Sequence, residues 1–197
     1  MNSPAPGALP PNYYEVLHWK ITQSRRRLLK VYLLGFPLAV VGVVVFIPFA
    51  IRFGRLLEVQ FNWTMAQIAV YAVVMTALIT VLHELTHGLT AQFYGARPHY
   101  GFSWKGLVPY MTTSGYAFTR NQYCLVLLMP LVALSLLAML GMIALTGSQM
   151  VGILTVGAIG NVGGSCGDLG MLATVARYPA QAYVTDQHDG MRVFMPM

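Results

Sequence analysis

Long apolar stretches, separated by short polar connections, make up most of the chain. Four of them, at about residues 31–51, 65–95, 123–147 and 150–176, carry very few charges. A helix needs about 20 apolar residues to cross the hydrocarbon core of a bilayer, and every stretch reaches that length. The pattern therefore predicts an all-α membrane protein with four transmembrane helices.

The connection between the second and third stretches, residues 96–122, has a different character. Five proline and glycine residues interrupt it, while its aromatic and β-branched residues favour extended structure. We expect a short extended hairpin or a re-entrant loop between helices 2 and 3, with an ordinary cytoplasmic loop as the alternative. The chain then divides into a cytoplasmic or interfacial N-terminal segment (1–30), a four-span membrane domain (31–176) and a cytoplasmic tail (177–197).

Composition and charge support a membrane protein. The chain is 56% hydrophobic and 9% charged, whereas soluble domains carry about 25% charged residues. A cluster of basic residues precedes the first span, and the positive-inside rule places that end in the cytoplasm. With four spans both termini are cytoplasmic, so we expect a multi-pass integral protein whose partner is the lipid bilayer, in a bacterial plasma membrane. This distribution of the +6 net charge argues against nucleic acid as a partner, and the oligomeric state stays open.

A histidine-glutamate motif lies near the end of the second apolar stretch. His83-Glu84-Leu85-Thr86-His87 has the spacing H-E-x-x-H, which places both histidines on one face of a helix. Both imidazoles can then bind one zinc ion while Glu84 reaches a water at the metal. An ionisable side chain within a span costs about 2.5–3.5 kcal/mol on insertion scales, so such groups usually have a function. A packing role for the two histidines is the alternative.

A catalytic zinc ion normally has three protein ligands and one open position. Asp168 is the strongest candidate for the third ligand, because it is the only other acid within an apolar stretch. It lies about 18 residues along the fourth stretch, which is the depth that His83 has along the second. Asn161, two turns earlier on roughly the same face, and His99, just after the second span, are candidates for binding substrate or orienting a ligand. The alternatives for the third ligand are Asp186, Asp189, His99 and His188.

These motifs together resemble a known family. HELTHG late in a membrane helix, an extended loop, a span with Pro130 and then N-x6-D in the last span are similar to the putative zincin peptidase family of membrane proteins, over about residues 13–176. The order of elements is also distantly similar to the core of the site-2 proteases, which are intramembrane zinc metallopeptidases. The resemblance implies His83, His87 and Asp168 as zinc ligands, Glu84 as the general base and Asn161 as a substrate-orienting residue.

The sequence therefore predicts a membrane zinc metallopeptidase that hydrolyses peptide bonds of membrane or membrane-proximal polypeptides. In this hypothesis Glu84 is the general base for a zinc-activated water. Two alternatives from other classes are a non-catalytic metal-binding or metal-transport protein and an inert membrane adaptor. Glu84 distinguishes them, because a site that only binds zinc has no need of a base.

Overall fold

The computed structural model describes residues 7–20, 25–103, 108–188 and 190–197. Within them the chain forms five α-helices: α1 Arg25–Gly54, α2 Met65–Phe93, α3 Arg120–Ala144, α4 Met150–Gly164 and α5 Cys166–Val175. Six strands accompany these helices: β1 Tyr13–Lys20, β2 His99–Ser103, β3 Val108–Thr112, β4 Ala117–Thr119, β5 Tyr183–Gln187 and β6 Gly190–Pro196. A short 3-10 helix, Leu56–Glu58, follows α1.

In the described part of the chain, four segments are long and apolar enough to cross a membrane, and they match the four predicted spans within several residues. They are Tyr32–Gly54, Met65–Phe93, Arg120–Ala144 and Met150–Val175.

The fourth segment is two helices rather than one. It breaks at Ser165, whose N–H and hydroxyl both donate to the carbonyl of Asn161 at 3.0 and 2.8 Å. The glycine-rich sequence around this point lowers helix stability, and the break places Asp168 in the first turn of α5.

The prediction of an all-α protein is wrong, because the two ends of the chain form a sheet. Its strand order is β1-β6-β5-β4, and every pair is antiparallel. Strands β1 and β6 come from the segments predicted to be an interfacial segment and a polar tail. Their pairing runs from Tyr13↔Pro196 to Lys20↔Gly190. A strand is stabilised by its cross-strand partner and not by its own sequence, so segments at opposite ends of a chain show only a weak signal when each is read alone.

The extended hairpin between α2 and α3 is confirmed. Strands β2 and β3 pair antiparallel, from His99↔Thr112 to Ser103↔Val108. The residues between these strands, 104–107, lie outside the described part of the chain.

The chain divides into two compact units. The sheet unit contains the described residues within 1–31, 84–129 and 167–197, and the helical unit contains 32–83 and 130–166. The core of the sheet unit joins the four-stranded sheet to residues of α2, α3 and α5; among its members are Ala91, Tyr123, Val126, Val175, Val184 and Val193. The core of the helical unit contains residues of α1, α3 and α4, including Phe46, Ala50, Met142, Val151 and Ala158.

Candidate metal centre

His87 is buried near the C-terminal end of α2, and a backbone carbonyl orients its ring. Its Nδ1 lies 2.8 Å from the carbonyl oxygen of Val126 on α3. A carbonyl can only accept, so Nδ1 carries the proton and Nε2 carries the lone pair in the neutral ring. Residue 130, whose N–H would normally donate to this carbonyl within the helix, is a proline and has none. Pro130 therefore explains why a carbonyl inside α3 accepts a hydrogen bond from a side chain.

His83 lies one turn earlier on α2 and is oriented by a side chain. Its Nδ1 is 3.0 Å from Oδ1 of Asn161, which is buried on α4. The amide nitrogen of Asn161 donates to the carbonyl of Pro130 at 3.1 Å, and this contact determines which end of the amide faces the histidine. Because Oδ1 can only accept, Nδ1 of His83 is the protonated nitrogen and Nε2 carries the lone pair. These contacts are those of a residue that orients a metal ligand.

Asp168 completes a set of three potential metal ligands. Its Oδ1 lies 3.4 Å from Nε2 of His87. The boundary between the two units falls between His83 and Glu84, inside α2, which continues through it as one helix. The ligand atoms of His83, His87 and Asp168 lie within 4.8 Å of one another.

This donor set fits a zinc ion. Zinc binds imidazole nitrogen and carboxylate oxygen at about 2.0–2.2 Å, so two ligands of a tetrahedral ion lie roughly 3.4 Å apart. That spacing is the one found between His87 and Asp168. Hydrogen bonds that present the Nε2 lone pairs of both histidines are a second feature of zinc sites.

Glu84 lies between the two histidines in sequence and contacts the hairpin. Its Oε2 accepts a hydrogen bond from the backbone N–H of Met111 on β3, at 2.7 Å. An N–H that donates to Glu84 is turned away from β2, so this edge of β3 faces α2. On the same helix Gly88 permits a close approach, since a Cβ there would meet the hydroxyl of Tyr100 on β2. The hairpin therefore determines the direction of the Glu84 carboxylate.

A cavity of about 160 Å³ brings these groups together within the sheet unit. Its walls include Glu84 and His87 from α2 and Asp168 from α5. Strand β3 contributes Tyr110 and Met111 to the same walls. The carboxylate of a potential base and two of the three potential ligands thus border one cavity.

Residues 76–183, just over half of the 197 residues, match a family model described as "Putative zincin peptidase". The chain belongs to this family. The matched segment contains the H-E-x-x-H turn, the hairpin and Asp168. Comparison with curated proteins and with solved structures gives no match.

Two further residues of this zincin-family chain line the cavity, although the sequence did not predict them to lie beside the H-E-x-x-H motif. Asp186 and His188, predicted only as alternative ligands in a polar tail, line the cavity from β5 and the residue after it. The ring of His188 packs edge-on against Tyr110 at 3.9 Å between centroids. The aromatic and β-branched residues of YVTDQ (183–187) were the available signal for a strand.

Asp186 is held by hydrogen bonds. Its Oδ1 accepts from the hydroxyl of Tyr123 at 2.9 Å, and its Oδ2 accepts from the N–H of Thr113 at 3.2 Å. Burial raises the pKa of the Asp186 carboxyl from 3.8 to about 6, although these hydrogen bonds lower it in part. A carboxyl group whose pKa is raised by burial beside a cavity is a candidate for a functional role.

The remaining candidates lie elsewhere. His99 is exposed at the start of β2, opposite Thr112, and does not belong to the cluster of three potential ligands found among the described residues. Its role in binding substrate stays a prediction. Asp189, an alternative third ligand, lies outside the described residues.

Proposed function

We propose that this protein is a membrane-embedded zinc metallopeptidase that hydrolyses peptide bonds of membrane or membrane-proximal polypeptides. The observation that carries the proposal is the arrangement of His83, Glu84 and His87 on one helix with Asp168 beside them. Membership in the zincin family supports the reaction class.

The residues proposed to hold the ion are His83, His87 and Asp168. The carbonyl of Val126 and the amide of Asn161 orient the two imidazoles. When bound, zinc supplies a Lewis acid that lowers the pKa of a water molecule and polarises the scissile carbonyl.

Glu84 is the proposed general base. Its carboxylate takes a proton from the attacking water and gives it to the nitrogen of the amide bond that breaks, which leaves as an amine. The hydrogen bond from the Met111 N–H holds this carboxylate in one orientation beside the cavity. The fixed position reduces the reorganisation needed before each proton transfer.

The edge of β3 is the proposed binding place for the substrate backbone. A peptidase needs its substrate extended at the bond that is cut, and an extended segment can pair with a strand edge that borders the site. Tyr110 and Met111 of β3 line the cavity, and β3 pairs only with β2 among the described strands. A membrane-spanning substrate would therefore have to unwind locally before it is cleaved.

The sheet supports the proposed topology. Strands β1 and β6 come from opposite ends of the chain and are hydrogen-bonded neighbours. Two paired strands must lie on the same side of a membrane. An even number of spans, such as the four proposed here, brings both ends of the chain to the same side. The basic residues before the first span support a cytoplasmic location for both ends.

The test is zinc content and hydrolysis, measured on detergent-purified wild type, Asp168→Ala and Glu84→Gln. We expect about one zinc per chain in the wild type by elemental mass spectrometry, and much less in the aspartate variant. Glu84→Gln should keep its zinc and lose cleavage of a pool of internally quenched peptides. Glu58→Gln, in which an exposed glutamate paired with Arg55 is changed in the same way, is the matched control.

The outcomes separate the classes of function. A folded wild type that binds no zinc excludes the metallopeptidase. Equal zinc in wild type and Asp168→Ala removes Asp168 from the ligand set. Zinc binding together with cleavage that Glu84→Gln leaves unchanged would remove Glu84 as the base, and zinc binding without cleavage of any peptide would favour a metal-binding or transport protein.

A further inference from the structure

One carboxylate in the sheet unit is hydrogen-bonded to two backbone segments that lie 63 and 73 residues earlier in the chain. Asp186 on β5 accepts from the hydroxyl of Tyr123 on α3 through one oxygen. Its other oxygen accepts from the N–H of Thr113, the residue that follows β3. Asp186 therefore joins the start of α3 to the end of the hairpin.

Each of these segments orients one functional group of the candidate centre. Tyr123 lies one helical turn before Val126, whose carbonyl accepts from Nδ1 of His87. Thr113 lies two residues after Met111, whose N–H donates to Glu84. A displacement of either segment would therefore change the direction of a proposed metal ligand or of the proposed base.

We propose that Asp186 is a positioning residue, which holds through Tyr123 and Thr113 the two backbone segments that orient His87 and Glu84. The inference rests on the proposed function for the roles of these two side chains. In these hydrogen bonds Asp186 contacts neither ligand nor base, although its carboxylate also interacts electrostatically with His87.

The nature of the partners supports this role. The partners of Asp186 are hydrogen-bond donors from other segments: a phenol, the backbone N–H of Thr113 and the side chain of Thr112. Tyr123 is almost completely buried. Burial also raises the pKa of the Asp186 carboxyl to about 6, so its ionised form lowers the stability of the fold. The charged carboxylate disfavours folding and yet is hydrogen-bonded to two segments of the site. A role in positioning these segments therefore explains it better than a role in stabilising the fold.

The two bonds can be removed separately. Tyr123→Phe keeps the buried ring and removes the bond between Asp186 and α3, together with a weak 4.0 Å contact of the same hydroxyl with Sδ of Met171. Asp186→Ala removes both bonds of the carboxylate. In Asp186→Asn the amide oxygen can accept from the Thr113 N–H while the amide nitrogen donates to the Tyr123 hydroxyl, because a hydroxyl can also accept. Asp186→Asn is therefore the conservative variant that restores both contacts without the charge.

The first measurement is hydrogen–deuterium exchange of the metal-free protein, over peptides covering residues 108–114 and 120–127. We expect faster exchange in both peptides for Asp186→Ala and in 120–127 alone for Tyr123→Phe. Asp186→Asn should exchange at nearly the wild-type rate. Tyr13→Phe removes a hydroxyl that donates to the carbonyl of Gln181 in the same unit and serves as the matched control.

The second measurement is zinc affinity, by competition with a fluorescent chelator. Loss of the groups that orient metal ligands typically weakens binding 10–100-fold, and we expect a loss in that range for Asp186→Ala. Tyr123→Phe should show a smaller loss, and Asp186→Asn should stay within a few-fold of the wild type.

The opposite results would overturn the proposal. Wild-type exchange and zinc affinity in Asp186→Ala would show that the site does not depend on this carboxylate. An Asp186→Asn variant as impaired as Asp186→Ala would show that the charge matters and the hydrogen bonds do not. If Asp186→Ala does not fold, Tyr123→Phe decides the question by the same two readouts. If the wild type binds no zinc, the proposed function fails, while the exchange data still decide whether Asp186 holds the two segments.

Discussion

Replacing Asn161 by alanine tests whether a buried amide orients the first zinc ligand. The side chain of Asn161 is 2% exposed and faces Nδ1 of His83 at 3.0 Å. Without it the imidazole proton is no longer confined to Nδ1 by this acceptor, and the ring gains freedom to rotate. Both changes disfavour the state in which Nε2 presents its lone pair to zinc, so we expect weaker zinc binding.

The size of the effect follows from the hydrogen bond that is lost. A hydrogen bond to a charged group contributes about 1.5–3 kcal/mol, and an imidazole on zinc carries part of the charge of the ion. Since 1.4 kcal/mol corresponds to a factor of ten, zinc affinity should fall about 10–100-fold. The variant should also lose stability, because the carbonyl of Pro130 loses its donor from Asn161.

The assay is chelator competition on detergent-purified protein, with Thr155→Val as the control. Thr155 is a buried polar residue of the same helix whose hydroxyl donates to the carbonyl of Val151 within that helix. Its loss should change stability without changing zinc affinity. Wild-type zinc affinity in a folded Asn161→Ala would refute the orienting role. Equal losses in the two variants would mean that packing of α4, rather than the amide, controls the site.

Three further predictions concern the groups around the centre. Pro130→Ala supplies an N–H that competes for the Val126 carbonyl, so zinc affinity should fall several-fold in the chelator assay. Met111→Pro removes the N–H that donates to Glu84 and leaves the hydrogen bonds between β3 and β2 in place. We therefore expect kcat to fall at least tenfold while zinc content is unchanged. The raised pKa of Asp186 means that the folded state holds a proton that the unfolded state releases between pH 3.8 and about 6. Thermal unfolding of the wild type should therefore show stability that falls as pH rises through this window, by on the order of 3 kcal/mol, and Asp186→Asn should lack this loss.

Each of these predictions has a result that contradicts it. Unchanged zinc affinity in Pro130→Ala would mean that the Val126 carbonyl accepts from both the new N–H and the His87 ring. Pro37→Ala in α1 is the control for the loss of a proline within a helix. Zinc loss in Met111→Pro would show that the hairpin supports the metal rather than the base. A wild type and an Asp186→Asn variant with the same pH dependence would assign the titration to another group.

The sequence was most informative where the structure is local. Helical periodicity places residues four apart on one face, so the spacing of His83 and His87 predicted their shared direction. Apolar length alone predicted four spans, within several residues of the four described helical segments that are long and apolar enough to cross a membrane. Depth along two parallel spans also selected Asp168, and the structure places its Oδ1 3.4 Å from Nε2 of His87. The family resemblance rested on these same residues and is confirmed by the match.

Only the tertiary structure decided the contacts between segments that are remote in sequence. The sheet pairs residues near 13–20 with residues near 190–196. Glu84 meets an N–H 27 residues away, and Asp186 meets a phenol 63 residues away. No local pattern encodes such partners, because a carboxylate in a polar tail has the same sequence signature whether water or a buried hydroxyl satisfies it. The residues of the site could therefore be named from the chain, whereas the groups that hold them in place depend on how the chain packs.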